Sequence, residues 1–333
     1  MKIIVPMAGM GKRMRPHTLT VPKPLLPIAG KPIVQLLVED IKKVCGEQVE
    51  EVAFVIGDFG KETEQTLMDI ASAIGAKGSI YYQHEALGTA HAILCAQEVL
   101  NGKVVVAFAD TLFSPDFTMD HSHDGVIWVK KIEDPSAFGV VNVDENNVIT
   151  DFVEKPKHFV SDLAIIGIYY FKDGNNLREE LQYLIDKNIM EKGEYQLTNA
   201  LENMKSKGAR FVPGKVSEWL DCGNKDATVN TNQRILIRKQ NESLIDPSHL
   251  NRNSVVIPPC YIGPGVELIN SVIGPHVSIG SHSKIENAVI SNSIVQSHAT
   301  IKNAVIDNSM VSNFAQYHGQ KKELSIGDYS VQQ

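Results

Sequence analysis

Glycines and basic residues near the start of the chain form an arrangement suited to binding a phosphate. The run from Lys2 to Met7 predicts a strand, and Ala8-Gly9-Met10-Gly11-Lys12-Arg13 follows it directly. Glycines at this position let the backbone approach an anion closely, and Arg13 adds a bidentate phosphate donor. The loop lacks the ending of a Walker A motif and the full dinucleotide-binding pattern. Alone, it also fits a tight turn with a solvated basic pair.

Lys23 follows on a segment that prolines hold extended. Pro22-Lys23-Pro24-Leu25-Leu26-Pro27 cannot be helical, because each proline restricts its own φ and the conformation of the preceding residue. A lysine on such a loop, just after a glycine turn, can reach the same anion. Alone, Lys23 would more often be a surface lysine, but the two segments together favour a pocket for a phosphorylated ligand.

Carboxylates in three further segments are candidates for binding, although each also has an ordinary structural interpretation. The apolar run Val104–Phe108 is typical of a strand buried on both faces, and Asp110 follows it. Ligands of parallel sheets bind at the carboxyl ends of the strands, so we favour a metal ligand at Asp110 over a turn residue. Taken alone, Asp221 fits a turn, and Glu154-Lys155 fits a solvated ion pair.

The elements that position these residues alternate between strand-like and helix-like segments, which predicts a mostly parallel sheet covered by helices. The predicted strands are Lys2–Val5, Glu51–Ile56, Ser79–Gln83, Lys103–Ala109, Gly125–Val129 and Ile165–Tyr170. The predicted helices are Ile33–Cys45, Lys61–Ile74, Gly88–Val99, Leu177–Lys187 and Gln196–Lys207, followed by a polar connecting helix over Asp226–Asn241.

The last third of the chain repeats itself. Asn270-Ser271-Val272-Ile273 is nearly copied at residues 287–290 and again at 303–306, and Ile-Gly pairs recur between the copies. Three short strands per coil, each with one inward aliphatic side chain, would produce this period. The pattern therefore predicts a β-solenoid, and chance periodicity in an irregular sandwich fits the matching tetrads less well.

Composition excludes several classes of protein. The chain has 333 residues, with 32 Lys plus Arg against 39 Asp plus Glu and a formal net charge of −7. This balance argues against a nucleic-acid surface and still allows a local cationic pocket. The four cysteines form no CxxC pair, so we expect free thiols. We expect a cytoplasmic protein without membrane contact, because the N-terminal apolar stretch is too short for a signal peptide and no apolar run approaches about 20 residues.

The motifs, in this order, resemble those of the sugar-1-phosphate nucleotidylyltransferases. The Gly9–Arg13 loop and the Lys23–Pro27 run carry the resemblance most strongly. It covers nearly the whole chain and continues through Gln83–Ala90, Phe108–Asp110, Phe138–Val141, Val153–Pro156, Ile168–Phe171 and Trp219–Gly223. Within the family, the chain is most similar to glucose-1-phosphate thymidylyltransferase-like enzymes that carry a C-terminal left-handed β-helix.

The resemblance implies an α/β fold with a Rossmann-like, mostly parallel mixed sheet, followed by a left-handed parallel β-helix. The nucleotidyltransferase domain would span residues 1–235, a connecting segment 236–250 and the β-helix with its hexapeptide-like repeats 251–333. The implied reaction joins a nucleoside triphosphate and a sugar-1-phosphate, with Mg²⁺ as cofactor, in a homo-oligomer.

The resemblance also implies roles for individual residues. Catalytic roles fall to Arg13, Lys23 and Asp110, and the metal ligands would be Asp110 and Asp221. The nucleotide would be bound by Ala8, Gly9, Gly11, Gln83 and Gly88, of which Gln83 and Gly88 would read the base. The sugar phosphate would be bound by Gly139, Glu154 and Lys155.

The sequence leaves open the identity of the substrates, whether the chain is catalytic, and the role of the solenoid. The short glycine loop is more like that of the UTP-glucose uridylyltransferases, whereas the lysine segment resembles the thymidylyltransferase and mannose-1-phosphate guanylyltransferase groups. Because the Gln83 amide can donate and accept along a pyrimidine edge, we favour dTTP or UTP, with glucose-1-phosphate as the sugar. The alternatives are a GDP-mannose-type pyrophosphorylase or a non-catalytic regulatory relative. For the solenoid we prefer an oligomerising or regulatory role over acetyl transfer.

Overall fold

A computed structural model describes residues 1–320 and 323–331 of the protein. Its contacts divide the chain into two compact units. The first comprises Met1–Lys12, Thr18–Leu26 and Pro32–Gly223. The second comprises Arg13–His17, Pro27–Lys31 and the described residues from Asn224 onward. The predicted domain boundaries at residues 235 and 250 stay predictions, and residues 321, 322, 332 and 333 of the predicted β-helix lie outside the described residues.

Strands and helices alternate between residues 33 and 107, as the sequence predicts, whereas six strands follow one another between residues 104 and 171. The strands are β1 Lys2–Pro6, β2 Pro27–Ile28, β3 Lys31–Pro32, β4 Glu51–Ile56, β5 Lys77–Tyr82, β6 Val104–Ala107, β7 Thr111–Phe113, β8 Gly125–Lys131, β9 Gly139–Val143, β10 Ile149–Glu154, β11 Leu163–Phe171, β12 Phe211–Lys215 and β13 Trp219–Asp221. The helices are α1 Ile33–Val44, α2 Lys61–Ala73, α3 Thr89–Leu94, α4 Gly174–Asp186, α5 Leu197–Ser206 and α6 Lys225–Arg238.

The first unit is built on a mixed sheet of nine strands. Its main path runs β10-β9-β11-β6-β1-β4-β5, with β8 beside β11 and β12 beside β8. Strands β6, β1, β4 and β5 run parallel to one another, and β11 joins β6 antiparallel. All four residues of β6 are fully buried, which explains its unbroken apolar run. The carboxyl ends of β1 and β6 therefore meet at one edge of the sheet.

The prediction that a helix spans Gly88–Val99 is wrong at its carboxyl end. Helix α3 begins at Thr89 and ends at Leu94, after which the backbone continues in turns. Gly88 has a φ of 108°, so it precedes the helix instead of belonging to it. The remaining predicted helices and strands are present with ends shifted by a few residues, and the connecting helix is Lys225–Arg238.

The second unit contains a solenoid of parallel coils with hexapeptide repeats, the arrangement of a left-handed β-helix. Its strands are β14 Leu250–Arg252, β15 Val255–Val256, β16 Cys260–Ile262, β17 Glu267–Ile269, β18 Val272–Ile273, β19 Val277–Ile279, β20 Lys284–Ile290, β21 Ile294–Val295, β22 Thr300–Ile306, β23 Met310–Val311 and β24 Gln316–His318. Leu268, Ile285 and Ile301 are in register on successive coils and are fully buried. The repeated aliphatic residues of the sequence therefore form the solenoid core.

None of the helices in the described residues has both the length and the hydrophobicity that spanning a bilayer requires.

Candidate active site

A cavity of ≈ 270 Å³ lies in the first unit, beyond the carboxyl ends of β1 and β6. Seven of the residues that the sequence singles out line it: Ala8, Gly9, Gly11, Lys23, Gln83, Gly88 and Asp110. A second cavity of ≈ 560 Å³ shares Ala8, Gly9 and Gln83 with the first, so the two adjoin. Residues that are distant in the sequence thus surround one space at the sheet edge where ligands of parallel sheets bind.

The glycine loop has different constraints at its two glycines. Gly11 has a φ of +57°, and a Cβ atom there would lie 3.0 Å from the Lys23 side chain and 3.2 Å from Thr18. The Thr18 hydroxyl donates a 2.8 Å hydrogen bond to the Gly11 carbonyl oxygen, which holds the turn. A Cβ atom at Gly9 would meet nothing within 4 Å, so the loop is open at that residue. Gly11 is required by the fold, whereas Gly9 leaves room for a ligand.

Lys23 makes an ion pair with Asp110 across the cavity. Lys23 Nζ lies 2.8 Å from Asp110 Oδ2, and the exposed fraction of the lysine side chain is only 12%. The lysine lies on a short 3₁₀ turn, Lys23–Leu25, in which Pro24 is buried. This turn closes with a 3.0 Å hydrogen bond from the Leu26 N–H to the Lys23 carbonyl oxygen. The proline-rich segment therefore holds the ammonium group in place, as its composition predicts.

A second aspartate lies beside Asp110 through an antiparallel pair of short strands. Strand β13 pairs with β7 so that Asp221 faces Thr111, the residue after Asp110. The Cys222 N–H donates to the Asp110 carbonyl oxygen at 3.0 Å, which joins the two segments. Carboxylate oxygens are the ligands that Mg²⁺ prefers, and it commonly takes one or two of them together with substrate phosphates. Among the described residues no three acidic, histidine or cysteine side chains form a metal cluster.

The three residues expected to bind the sugar phosphate form a separate cluster. Gly139 faces Glu154 in the antiparallel pairing of β9 and β10. Lys155 Nζ lies 3.5 Å from Glu154 Oε1, and its backbone has a φ of 42°, in the left-handed region. A Cβ atom at Gly139 would lie 3.2 Å from Glu154 Oε2. Glycine at this position therefore leaves the carboxylate accessible.

Aromatic contacts join this cluster to the two aspartates, a link that the sequence does not reveal. The ring of Phe138, beside Gly139, packs edge-on against Trp219 with centroids 4.9 Å apart. Trp219 Nε1 donates a 2.6 Å hydrogen bond to Thr111 Oγ1, next to Asp110. Both aromatic residues occur in the segments that carry the resemblance, but they are distant in the sequence and only the fold brings them together.

Gln83 and Gly88 are held together at another part of the cavity wall. Gln83 Nε2 donates a 3.1 Å hydrogen bond to the Gly88 carbonyl oxygen. A Cβ atom at Gly88 would lie 2.5 Å from the Tyr195 carbonyl oxygen, so only glycine fits there. His91, which sequence reasoning did not identify, lies 3.1 Å from the same Gln83 nitrogen.

Arg13 is the remaining candidate. It lies on the 3₁₀ turn Lys12–Met14, is exposed, and belongs to the second compact unit. Its assignment to the triphosphate therefore stays a prediction.

Comparison with known proteins identifies the family. Residues 2–237 match the nucleotidyl transferase family, and residues 242–328 match the family described as GlmU-like, C-terminal hexapeptide. The chain therefore belongs to the nucleotidyl transferase family, with a GlmU-like hexapeptide region after the catalytic fold.

Individual relatives agree with this assignment. The chain is 27% identical to the low-salt glycan biosynthesis nucleotidyltransferase Agl11 of Haloferax volcanii and 28% identical to a glucose-1-phosphate thymidylyltransferase of Streptomyces antibioticus. Both alignments cover 89% of this chain and 87% of the relative. A nucleoside-diphosphate-sugar pyrophosphorylase structure from Vibrio cholerae covers 69% of this chain and 99% of its own, with a TM-score of 0.61 at 21% identity, and supports the fold.

Proposed function

We propose that this protein transfers a nucleotidyl group from dTTP or UTP to glucose-1-phosphate, giving a nucleotide sugar and pyrophosphate. The observation that carries the proposal is the ion pair of Lys23 with Asp110, at 2.8 Å, beside the open glycine loop and the second aspartate. Cationic and carboxylate groups converging on one cavity suit a polyanionic substrate that binds with a divalent cation. The homologous thymidylyltransferase supports the choice of base and sugar.

The reaction needs alignment and charge neutralisation more than a protein nucleophile. A phosphate oxygen of the sugar-1-phosphate forms a bond to the α-phosphorus, and the bond from that phosphorus to the α–β bridging oxygen breaks. Pyrophosphate leaves with the electron pair. The attacking oxygen is already anionic, so no general base is required.

Each described cluster has a role in this proposal. The backbone N–H groups of the Ala8–Gly11 loop and Arg13 hold the triphosphate, and Lys23 stabilises charge near the α-phosphorus. Gln83 and Gly88 read the base. Lys155 binds the sugar phosphate, and Glu154 accepts hydrogen bonds from sugar hydroxyls beside Gly139.

The proposed cofactor is Mg²⁺, held by Asp110 and Asp221. When bound, it would neutralise charge on the phosphate oxygens. The Lys23 ammonium group, 2.8 Å from Asp110 Oδ2, would contact a substrate phosphate beside this site.

The proposal is tested by measuring pyrophosphate release in the presence of Mg²⁺ for a panel of nucleoside triphosphates and sugar-1-phosphates. We expect turnover with dTTP or UTP and glucose-1-phosphate. Asp110→Asn should abolish most of it while circular dichroism shows an unchanged fold, because the amide is a weaker cation ligand of the same size. Release with GTP and mannose-1-phosphate would favour the GDP-mannose-type alternative, and no release with any pair would favour a non-catalytic relative.

A further inference from the structure

The amide group of Gln83 is oriented by a histidine outside the motifs described above. His91 lies on α3 and is half-buried, as is Gln83. Gln83 Nε2 lies 3.1 Å from the Gly88 carbonyl oxygen and 3.1 Å from His91 Nδ1. Two neighbours thus contact one nitrogen of the residue that faces the cavity.

Hydrogen-bond accounting determines which way this amide points. A carbonyl oxygen can only accept, so the Gln83 atom facing Gly88 must be the NH₂ group. Its second hydrogen then points to His91 Nδ1, which must carry no proton, so the imidazole is neutral with its proton on Nε2. Both donors of the Gln83 amide are therefore used within the protein.

The group that Gln83 can still offer to a ligand is its oxygen. Within the part of the chain that the structure describes, no donor lies at hydrogen-bond distance from Gln83 Oε1. The Gly88 carbonyl oxygen also accepts the Ala92 N–H at 3.1 Å, so helix α3 holds it in place. Toward a ligand in the cavity, the Gln83 side chain can therefore only accept a hydrogen bond. Gly88 and His91 hold it in this orientation on the cavity wall.

We propose that His91 is a positioning residue that makes the cavity selective for bases whose Watson–Crick edge carries a ring N–H donor at its centre, such as N3–H of uracil and thymine. This inference rests on the proposed function only in taking a nucleotide as the ligand of the cavity. Uracil and thymine present N3–H to the Gln83 oxygen. Cytosine presents an unprotonated N3 at the same position, which leaves two acceptors facing each other and costs an unmade hydrogen bond.

The test compares the binding of UTP with CTP, and of dUTP with dCTP, by calorimetry without any sugar phosphate. Each pair differs only in the base edge. We expect His91→Leu to lower the preference for the uracil nucleotide about tenfold, because the second hydrogen of the Gln83 amide is then free to donate to the unprotonated N3 of cytosine. His91→Asn should keep the preference, since Asn Oδ1 takes the place of Nδ1 as acceptor. His91→Ala provides a second variant without an acceptor.

A double-mutant cycle separates positioning from a general structural effect. In a Gln83→Ala background, His91→Leu should no longer change the ratio of the two affinities, because His91 acts only through that amide. An unchanged ratio in His91→Leu, or equal weakening of both nucleotides, would overturn the inference. Absence of any uracil preference in the unmodified protein would overturn it as well.

The proposed function and this inference can fail separately. Formation of a nucleotide sugar without any effect of His91→Leu on base preference would retain the function and reject the role of His91. A His91-dependent base preference without product from any substrate pair would do the reverse.

Discussion

Gly88 illustrates how a single residue at the candidate site is constrained by its neighbours. Its φ of +108° disfavours any side chain, and a Cβ atom would also lie 2.5 Å from the Tyr195 carbonyl oxygen. Gly75 has a similar φ of +78°, but a Cβ atom there would meet nothing within 4 Å. A side chain would strain the backbone at both positions, but only at Gly88 would it also clash with a neighbouring residue.

Gly88→Ala should therefore weaken nucleotide binding much more than Gly75→Ala. Each substitution costs about 1–2 kcal/mol of strain in the left-handed region. Only Gly88→Ala also clashes with Tyr195, which must shift the Gly88 carbonyl oxygen that holds Gln83 at the cavity wall. Calorimetric titration of UTP into both variants measures the difference. Similar affinities in the two variants would show that the Gly88 backbone does not support base recognition.

The protonation state of His91 predicts a pH dependence. Partial burial lowers the pKa of His91 below its ordinary value, and the nearby Glu85 carboxylate opposes this shift more weakly. The imidazole is therefore neutral at neutral pH and accepts from Gln83. As the pH falls through the lowered pKa, Nδ1 gains a proton that faces the amide hydrogens.

We expect the preference for UTP over CTP to be constant at neutral and alkaline pH and to fall in this acidic range. His91→Asn should show no such step, because its amide does not titrate. Binding ratios measured across the pH range in both proteins provide the comparison. A step of the same size in His91→Asn would assign it to another group.

The glycine loop and Lys23 of the cavity follow from the sequence, because phosphate loops and proline-held lysines are local features. The contact between Gln83 and His91 does not, since His91 is an ordinary polar position on a short helix. Its role depends on the strand–loop–helix turn that brings it next to the amide, and no local pattern indicates that contact.

At the scale of elements, the structure explains why asparagine recurs in the repeated tetrads of the solenoid. Their asparagines, Asn270, Asn287 and Asn303, have φ values of 47°, 51° and 51° and form a ladder of side-chain hydrogen bonds with Asn253. The N···O distances along the ladder are 3.1, 3.3 and 3.2 Å. Asparagine tolerates the left-handed region, so it occupies the corner of each coil.

Substitution of Asn287, in the middle of the ladder, tests whether these asparagines stabilise the solenoid. Asn287→Ala loses the ladder contacts and places a residue that tolerates the left-handed region less well than asparagine, so we expect about 1–2 kcal/mol of destabilisation. Asn287→Gly loses the contacts but accepts the backbone conformation, and should cost less. Urea unfolding followed by circular dichroism ranks the two. Equal stability of Asn287→Ala and the unmodified protein would remove the ladder from the stabilising contacts.

The period of the solenoid is predictable because it repeats in the sequence, and the buried strands are predictable from their apolar runs. Strands β9, β10, β12 and β13 were not predicted, since they are short and include polar residues, as in ITDFVE of β10. The overlong helix prediction failed because the apolar pattern continues past Leu94 into turns that are buried for a different reason: Ala96, Val99 and Leu100 all lie in the sheet core.

At the scale of the whole molecule, the second unit assembles three distant stretches of the chain. Asn232 of α6 is fully buried and accepts the Ala29 N–H at 3.0 Å and the Ser278 hydroxyl at 2.7 Å. His17 Nδ1 lies 2.8 Å from Ser312 Oγ. One asparagine thus connects the Pro27–Lys31 segment, the helix and the solenoid, at separations that no local sequence pattern could indicate.

Asn232→Ala should destabilise the protein by about 2–3 kcal/mol, because it leaves two buried donors without an acceptor. Asn230→Ala changes an exposed residue of the same helix and controls for the substitution itself. Denaturant unfolding of both variants measures the difference. Equal midpoints would show that this buried network does not hold the unit together.

The central claim is that a sugar-phosphate oxygen attacks the α-phosphorus of the nucleotide, and one labelling measurement tests it directly. Glucose-1-phosphate with a heavy oxygen isotope at every phosphate oxygen would be incubated with UTP or dTTP, Mg²⁺ and the protein. Mass spectrometry would then measure the masses of the products. We predict that all of the label appears in the nucleotide sugar and none in pyrophosphate. Label in pyrophosphate, or formation of nucleoside monophosphate beside unchanged sugar phosphate, would contradict the account.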